Sequence, residues 1–204
     1  MLPQWSGLIP GLMASQFDMI SCGMYITNER CNNVAFSDPL GVFADPFIVP
    51  KGNPKHLLSY ADVKNTGARM VATTGFSDVT QAEKFAGISP SQIMTVPTRN
   101  EVFAALMSDR ADVAPYTYFE ELEMVAKSDG KLEIVDPKYL EKWAKNWGAT
   151  AFRKEDKDFV DAYNAAQKKY LGSQEMMSAV AEDGYTQAFL PEGDVDVNWV
   201  CENR

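Results

Sequence analysis

The fold is decided by the stretch GMYITNERCNNVAFSDP, residues Gly23 to Pro39. It follows an apolar run, DMISCG, that is typical of a strand, and it continues into a short helix for which Thr27 is the expected N-terminal cap. Tyr25 therefore stands at a strand exit and Arg30 at the start of a helix. Both side chains can serve packing and surface ion pairing. Alternatively, both converge on a small anionic ligand, because a guanidinium binds a carboxylate through two parallel hydrogen bonds.

The segments on either side of this stretch predict two different kinds of structure. Upstream, residues 7–15 (GLIPGLMAS) predict a short helix with Pro10 near its first turn, where a missing N–H costs little. Downstream, Leu40 to Pro50 predicts an extended connection between two bodies. From Ser59 to about Val135, strands alternate with helices, which indicates a parallel or mixed sheet with helices on both faces.

The last quarter of the chain predicts a return to the first body. Residues 147–152 (WGATAF) predict an extended segment, and two helices are expected at about 155–171 and 173–183. The tail after Pro191 is expected to be irregular apart from Trp199.

The order of these segments predicts a two-lobed chain. A compact α/β segment, residues 46–144, is inserted between two flanking pieces, residues 1–45 and 145–204, which must pack on each other to bury their apolar faces. Two lobes joined by two chain crossings are expected. A cleft between lobes is a usual place for a small ligand.

Composition excludes several classes of protein. The 46% hydrophobic content is that of a folded globular chain. The net charge of −9, with 19 basic against 28 acidic residues and no Lys/Arg cluster, argues against nucleic acid or an anionic membrane surface as partner. No apolar run approaches the ~18–20 residues that cross a bilayer. Met1 is followed directly by LPQWSGLIPG without a basic flank, so we expect no signal peptide within this chain.

Cysteine and histidine usage argues against a metal site and against nucleophilic catalysis. No CxxC pair is present, and His56 lies in NPKHLLS without ligand-like neighbours or an evident Ser or Cys partner. Cys22, Cys31 and Cys201 can be three thiols. Alternatively, Cys31 and Cys201 form a disulfide in an oxidising compartment, and the sequence does not choose between these. No cofactor is expected.

A glycine turn in the second body is a second candidate anion site. In TTGFSDVT, Thr73 to Thr80, Gly75 bends the chain and Ser77 or Asp78 is expected to cap the helix, whose N–H groups point outwards. Most capped helices bind nothing, and the turn lacks the Gly-Lys-Ser/Thr ending of a Walker loop. The acidic run Glu120, Glu121 and Glu123 is predicted to be a solvated helix face.

The chain resembles the family 3 solute-binding proteins, which feed polar amino acids and related solutes to ABC importers. The resemblance rests on WSGLIPGLMASQFDMISCGMYITNERCNNVAFSDP, with an aromatic residue, LIPxL, an Asp-initiated strand, G-x-x-(I/L)-T-x-E-R and F-S-x-P. LMSDRADV and WGATAFRKEDKDF fit as well, and the resemblance extends to about Gly184. It implies an α/β, two-lobed periplasmic-binding-protein-like (type II) fold with a ligand cleft between the lobes.

The resemblance also implies a set of ligand-binding residues. In this family the arginine of the T-x-E-R element, here Arg30, clamps the ligand carboxylate. The backbone around the preceding glycine faces the ligand, which points to Gly23 and Tyr25. The glycine turn of the second lobe adds Gly75, Phe76 and Ser77.

One departure from the family pattern bears on the ligand. Amino-acid binders place an aspartate a few residues after an Arg-Ala-Asp-like element to pair with the α-ammonium, but here Thr117 stands at that position. A buried ammonium without a counter-charge is costly, so a plain α-amino acid is disfavoured. The pattern is most similar to ectoine and hydroxyectoine binders, which pair the clamping arginine with an aromatic box. Trp5 and Tyr25 would be two walls of that box, in cation–π contact with a delocalised positive charge.

A second departure concerns the beginning of the chain. The family's first strand–helix–strand, ~30 residues or more for such a unit, has no counterpart before Trp5, so the first lobe is expected to be incomplete at its N-terminus.

The sequence thus predicts a non-enzymatic, periplasmic and monomeric solute-binding component of an ABC transporter. It would capture a small zwitterion such as ectoine or hydroxyectoine and deliver it to a membrane permease. A polar amino-acid binder for glutamine, arginine or an opine is the alternative within the family. A dehydratase on the same fold would need a catalytic acid in the cleft, for which the sequence offers no convincing candidate. A sensor domain of a membrane receptor is the third alternative.

Overall fold

The computed structural model describes residues 4–191, 193 and 195–204, and the chain divides into two units. Unit 1 contains the described residues of Met1–Phe43 and Asn146–Arg204, and unit 2 is Ala44–Lys145. Unit 2 is one continuous segment, whereas unit 1 is assembled from two.

Helices and strands alternate along much of the described part of the chain. The helices are α1 (Leu8–Met13), α2 (Asn28–Cys31), α3 (Tyr60–Thr66), α4 (Ser77–Gln81), α5 (Arg99–Met107), α6 (Tyr118–Ala126), α7 (Lys157–Tyr170), α8 (Gln174–Val180) and α9 (Val197–Asn203). The strands are β1 (Met19–Tyr25), β2 (Ala35–Phe36), β3 (Gly41–Ala44), β4 (Phe47–Pro50), β5 (Met70–Thr73), β6 (Ile93–Val96), β7 (Ala114–Pro115), β8 (Leu132–Ile134) and β9 (Lys145–Phe152). Short 3₁₀ turns include Trp5–Gly7 and Gln187–Phe189, and a π-helical turn, Ala82–Ala86, follows α4 directly.

The sheet of unit 1 is built around β9. This strand pairs antiparallel with β1 on one side, where Met19 lies opposite Phe152, and with β2 on the other, where Ala35 lies opposite the same residue. From Gly148 to Phe152 every residue of β9 is buried. Consecutive buried residues have both faces of the strand covered, which places this part of β9 at the centre of the unit. The core around it contains Leu12, Ile20, Met24, Ile26, Val34, Phe36, Ala149, Ala151 and Val200.

Unit 2 has strands with a separate hydrophobic cluster on each face. β5 and β6 are parallel, while β4 pairs antiparallel with β7 and β8. Phe47 and Val49 of β4 face one cluster, and Ile48 between them faces the other. Since neighbouring side chains of a strand point to opposite faces, both faces of the strand are packed. The predicted packing on both faces is confirmed for β4, but the strands form a three-stranded antiparallel sheet and a two-stranded parallel sheet, linked by a parallel bridge between Met70 and Val113, and not one mixed sheet.

Most predicted elements are confirmed, and Thr27 caps α2 as expected by accepting the N–H of Arg30. The segment Leu40 to Pro50 is extended as predicted and consists of β3 and β4. The prediction of an irregular tail is wrong, because Val197–Asn203 form α9. Asp196 caps this helix by accepting the N–H of Trp199 at 2.8 Å, and Val200 is wholly buried.

The predicted solvated face of α6 is wrong for one of its three glutamates. Glu123 is exposed and Glu120 is half-buried, but Glu121 has 0% of its surface exposed. Glu121 and Met124 are the buried residues of this helix. Residues three apart lie on the same side of a helix, so Glu121 belongs to the side that packs inwards.

None of the helices in the described part of the chain has the length and apolar character that a bilayer crossing needs.

Candidate functional site

Arg30 is held in unit 1 by the element that its sequence predicts. It is the third residue of α2, and the Oγ1 atom of Thr27 accepts its backbone N–H at 3.3 Å. Its side chain turns back towards β1, where Nη1 donates to the carbonyl oxygen of Tyr25 at 2.7 Å. The guanidinium carbon lies 5.7 Å from the centroid of the Trp5 ring. Only 9% of Arg30 is exposed, so its charge is partly desolvated and directed by these two neighbours.

Tyr25 begins a run of aromatic rings that sequence reasoning did not find. Its ring stacks on Phe43 with centroids 6.2 Å apart, and Phe43 stacks on Phe189 at 5.7 Å. Tyr185 meets the Phe43 ring edge-on at 6.3 Å. These rings come from β1, β3 and the segment before residue 190, so no local pattern joins them. We name Tyr25, Phe43, Tyr185 and Phe189 the aromatic row.

Gly23 gives β1 its shape just before Tyr25. It has a φ of +68°, a conformation that favours glycine, and the pairing of β1 with β9 changes register between Ile20 and Met24. A Cβ built on Gly148 of β9 would stand 3.0 Å from the Gly23 carbonyl oxygen. The two backbones therefore approach closely, and the bulge directs the end of β1 towards Arg30.

The glycine turn of unit 2 differs in one respect from its prediction. Gly75 has a φ of +84°, as a tight turn requires. The cap predicted at Ser77 or Asp78 is wrong, because Phe76 is the N-cap and makes no side-chain capping bond. The centroid of its ring lies 5.3 Å from that of Tyr116, and the helix begins at Ser77.

Thr117 lies at the N-cap of α6 in unit 2. Its Oγ1 donates to Oε2 of Glu120 at 2.6 Å. Glu120 in turn lies 3.6 Å from Nη1 of Arg99. The position where the family pattern places an aspartate thus has a threonine with a carboxylate beside it.

Asp112, in the Arg-Ala-Asp element, has a structural role within unit 2. It accepts from Nη2 of Arg69 at 2.9 Å and from Nζ of Lys55 at 2.8 Å. Partial burial raises the pKa of Asp112, but the hydrogen bonds from Arg69 and Lys55 lower it more, so the net pKa lies well below its ordinary value.

Unit 2 also contains buried carboxylates that influence one another. Asp45 is 3% exposed, Asp78 is 2% exposed and Glu121 is fully buried. Burial raises the pKa of Glu121 well above its ordinary value, and repulsion from Asp45 and Asp78 raises it further. The nearby backbone N–H of Tyr116 lowers this pKa by less than burial raises it. In the described part of the chain, no group of three or more His, Cys, Asp or Glu side chains is arranged to hold a metal ion.

A disulfide joins the residue next to Arg30 to the last helix. Cys31 and Cys201 are bonded, with Cα atoms 5.9 Å apart, across 170 residues of sequence. The structure thus selects the disulfide from the two alternatives that the sequence left open. Cys22 is exposed and is not part of a disulfide.

The site residues therefore fall into two groups. Within unit 1 the structure brings together the Arg30 side chain, the Trp5 ring and the Tyr25 carbonyl, with Gly23 two residues before Tyr25. Gly75, Phe76, Ser77 and Thr117 lie in unit 2.

Comparison with known proteins identifies the family. Residues 2–181 match the bacterial extracellular solute-binding proteins, family 3. A probable amino-acid ABC transporter periplasmic-binding protein, y4tE of Sinorhizobium fredii (strain NBRC 101917 / NGR234), is 32% identical over 208 residues, which cover 98% of this chain and 67% of that protein.

Solved structures support the same assignment. EhuB in complex with hydroxyectoine is similar over 100% of this chain and 78% of its own, with a TM-score of 0.84 and 26% identity. The holo arginine-binding protein ArgBP of T. maritima is similar over 91% of this chain and 77% of its own, with a TM-score of 0.73 and 25% identity. These matches confirm the predicted α/β fold of periplasmic solute-binding proteins. The chain belongs to the bacterial extracellular solute-binding proteins, family 3.

Proposed function

We propose that this protein is the solute-binding component of an ABC importer and that its ligand is a small zwitterion of the ectoine type. The observation that carries the proposal is the arrangement of Arg30, Trp5 and Tyr25 in unit 1. A largely buried guanidinium lies there against an indole ring and a peptide carbonyl. Capture would take place in the periplasm by a monomer, and a membrane permease would receive the solute.

Arg30 would bind the ligand carboxylate. Its Nη1 is already engaged by the Tyr25 carbonyl at 2.7 Å, which fixes the plane of the guanidinium. A guanidinium held in a set plane is what two-bonded carboxylate recognition requires. Gly23 would allow the backbone of β1 to approach the same ligand.

The rings of Trp5 and Tyr25 would contact the positively charged part of the ligand. Such contacts with a delocalised cation contribute ~0.5–2 kcal/mol each, depending on how dry the site is. A carboxylate joined to a delocalised amidinium, as in ectoine, matches an arginine with aromatic rings beside it. The similarity to EhuB, whose structure contains hydroxyectoine, supports this ligand class.

A polar amino acid, with arginine foremost, is the second candidate ligand. The placement of Glu120 favours it. Thr117 stands where amino-acid binders of this family have an aspartate, and the carboxylate of Glu120 lies 2.6 Å from the Thr117 hydroxyl. A carboxylate there could serve as counter-charge for an α-ammonium. The similarity to ArgBP also supports this candidate. Gly75, Phe76, Ser77 and Thr117 stay predicted ligand contacts from unit 2.

The test is ligand-dependent thermal unfolding followed by titration calorimetry. Ectoine, hydroxyectoine, glycine betaine, glutamine and arginine are added in turn. A ligand at about 100 times its Kd adds ~2.7 kcal/mol to the free energy of unfolding, which raises Tm by about 5–10 °C for a chain of this size. A shift with the ectoines supports the first candidate, and a shift with arginine or glutamine alone replaces it by the second.

The clamp is tested separately with Arg30→Ala. Removing two charge-assisted hydrogen bonds is expected to weaken binding by about 100-fold or more. Arg110→Ala, which removes an exposed arginine of unit 2, is the matched control and should bind as the parent does. Equal affinity of Arg30→Ala and the parent protein would show that Arg30 does not bind the carboxylate.

A further inference from the structure

Helix α9 holds both ends of the helix that carries Arg30. At the end of α2, Cys31 is bonded to Cys201 of α9. At its start, the backbone N–H of Asn28 donates to the carbonyl oxygen of Arg204 at 2.9 Å, and Nδ2 of Asn28 donates to the carbonyl oxygen of Cys201 at 2.9 Å. Arg30 lies between these two attachment points.

The geometry of α2 depends on such attachments because the helix is very short. It has four residues, far fewer than the ~12–15 that an isolated helix needs to be stable in water. The cap from Thr27 is a single hydrogen bond of 3.3 Å. Contacts from outside the helix must therefore fix the direction of the Arg30 side chain.

Helix α9 can supply this rigidity because it is itself anchored on the sheet of unit 1. Val200 is wholly buried in the core of the unit. The ring of Trp199 meets that of Trp147, a residue of β9, edge-on at 5.7 Å. The guanidinium carbon of Arg204 lies 5.5 Å from the centroid of the same Trp147 ring. Thus α9 links α2 to the central strand.

We propose that α9 and the Cys31–Cys201 disulfide form a positioning element for Arg30, so that ligand affinity depends on this bond. The proposal rests on the proposed role of Arg30 as the carboxylate clamp. An added dithiol reductant would remove this restraint by reducing the disulfide. The Sγ–Sγ bond breaks, each cysteine sulfur gains one electron and one proton, and the reductant is oxidised to its own disulfide. α2 then keeps its Thr27 cap and its hydrogen bonds to α9, and the backbone that carries Arg30 is held less firmly against α9.

The first measurement is the Kd of Cys31→Ser/Cys201→Ser for hydroxyectoine and for L-arginine, by calorimetry well below the Tm of the variant. We expect the Kd of the bound probe to rise about tenfold, because a misplacement of ~1 Å is enough to weaken a site built on fixed geometry. Dithiothreitol should have the same effect on the Cys22→Ser protein, whose two remaining cysteines are Cys31 and Cys201. A cooperative thermal transition shows that the variant is folded.

A control separates positioning from general destabilisation. Phe159→Ala removes a ring that meets Phe152 edge-on at 5.1 Å in unit 1, and Phe159 lies on α7. It should lower Tm while leaving Kd within about twofold, because the effects of substitutions at residues that share no contacts are independent of each other. If the double serine variant binds as tightly as the parent, or weakens binding no more than Phe159→Ala, the positioning role is refuted.

A second readout does not depend on any ligand. The Nε–Hε NMR signal of Arg30, assigned by its loss in Arg30→Lys, reports the surroundings of the guanidinium in the ligand-free protein. The signal should shift or broaden in the double serine variant and stay unchanged in Phe159→Ala. An unchanged signal in the double variant overturns the positioning role. Failure of every compound to bind the parent protein instead overturns the proposed ligand class.

Discussion

At the scale of single residues, the charge of Glu121 conflicts with its surroundings. It is fully buried, and among the described residues neither of its carboxylate oxygens has a hydrogen-bond partner. An ionised carboxylate in such a place is strongly disfavoured, so the proton is held to a pH above the ordinary range of a glutamate. The residue therefore makes the stability of the protein depend on pH.

We expect Glu121→Gln to stabilise the protein at pH 8 and to change little at pH 4. Below the ordinary pKa of a glutamate both the folded and the unfolded states are protonated. As pH rises from the ordinary pKa towards the raised pKa of the folded state, only the unfolded state releases its proton and it gains relative stability. Glutamine resembles the protonated acid and avoids this loss, so the gain at pH 8 is about 1 kcal/mol or more. Denaturant unfolding at both pH values measures it.

The matched control for this prediction is Glu182→Gln, which changes an exposed glutamate of unit 1. It should leave the free energy of unfolding nearly unchanged at both pH values. A Glu121→Gln protein that is less stable at pH 8 than at pH 4, relative to the parent, would contradict the raised pKa.

At the scale of elements, α9 depends on its cap. Asp196 accepts the N–H of Trp199 at 2.8 Å, and the helix has only seven residues. Asp196→Ala should cost about 1 kcal/mol, which lowers Tm by about 2–4 °C for a chain of this size. Asp196→Asn should keep the parent Tm, because asparagine caps as well as aspartate. Thermal unfolding compares them, and equal transitions for the two variants would rule out the cap.

The same helix shows where sequence reasoning reaches its limit. Helices α3, α5 and α6 were predictable because each lies in a regular alternation of strands and helices. In α9 only Val200 is buried, so no helical periodicity marks it. Its place is set in part by the Cys31–Cys201 bond, which spans 170 residues and which the sequence offered only as one of two alternatives.

The residues of the candidate site also divide into those that the sequence predicted and those that it did not. Trp5, Tyr25 and Arg30 were found because they lie in one local pattern of the chain. Phe43 and Phe189 were not found, since their rings stack only where the two segments of unit 1, which are far apart in sequence, meet. Local patterns thus identify residues at the ends of short elements, while contacts made by distant segments have to be seen in the structure.

At the scale of the whole molecule, the two units differ in how they can fold. Unit 2 is the continuous segment Ala44–Lys145 with a packed cluster on each face of its strands. About 100 residues with their own core are enough for an independent domain. Unit 1 needs two segments that are far apart in sequence.

We therefore expect residues 44–145, expressed alone, to unfold cooperatively. Circular dichroism during heating would show one transition with helical signal at the start. Residues 146–204 expressed alone should show none, because β9 would lack its partners β1 and β2. A non-cooperative loss of signal from residues 44–145 would mean that unit 2 requires unit 1 in order to fold.

The disulfide also changes the covalent connectivity of the chain. The bond between residues 31 and 201 closes a covalent ring, and the whole of Ala44–Lys145 lies within it. A protease that cuts one exposed turn of the ring, such as residues 51–56, opens the ring without releasing a fragment. The nicked protein would remain one molecule on a non-reducing gel and become two pieces only after reduction. Both parts of unit 1 would stay at high effective concentration and could pair again after partial unfolding.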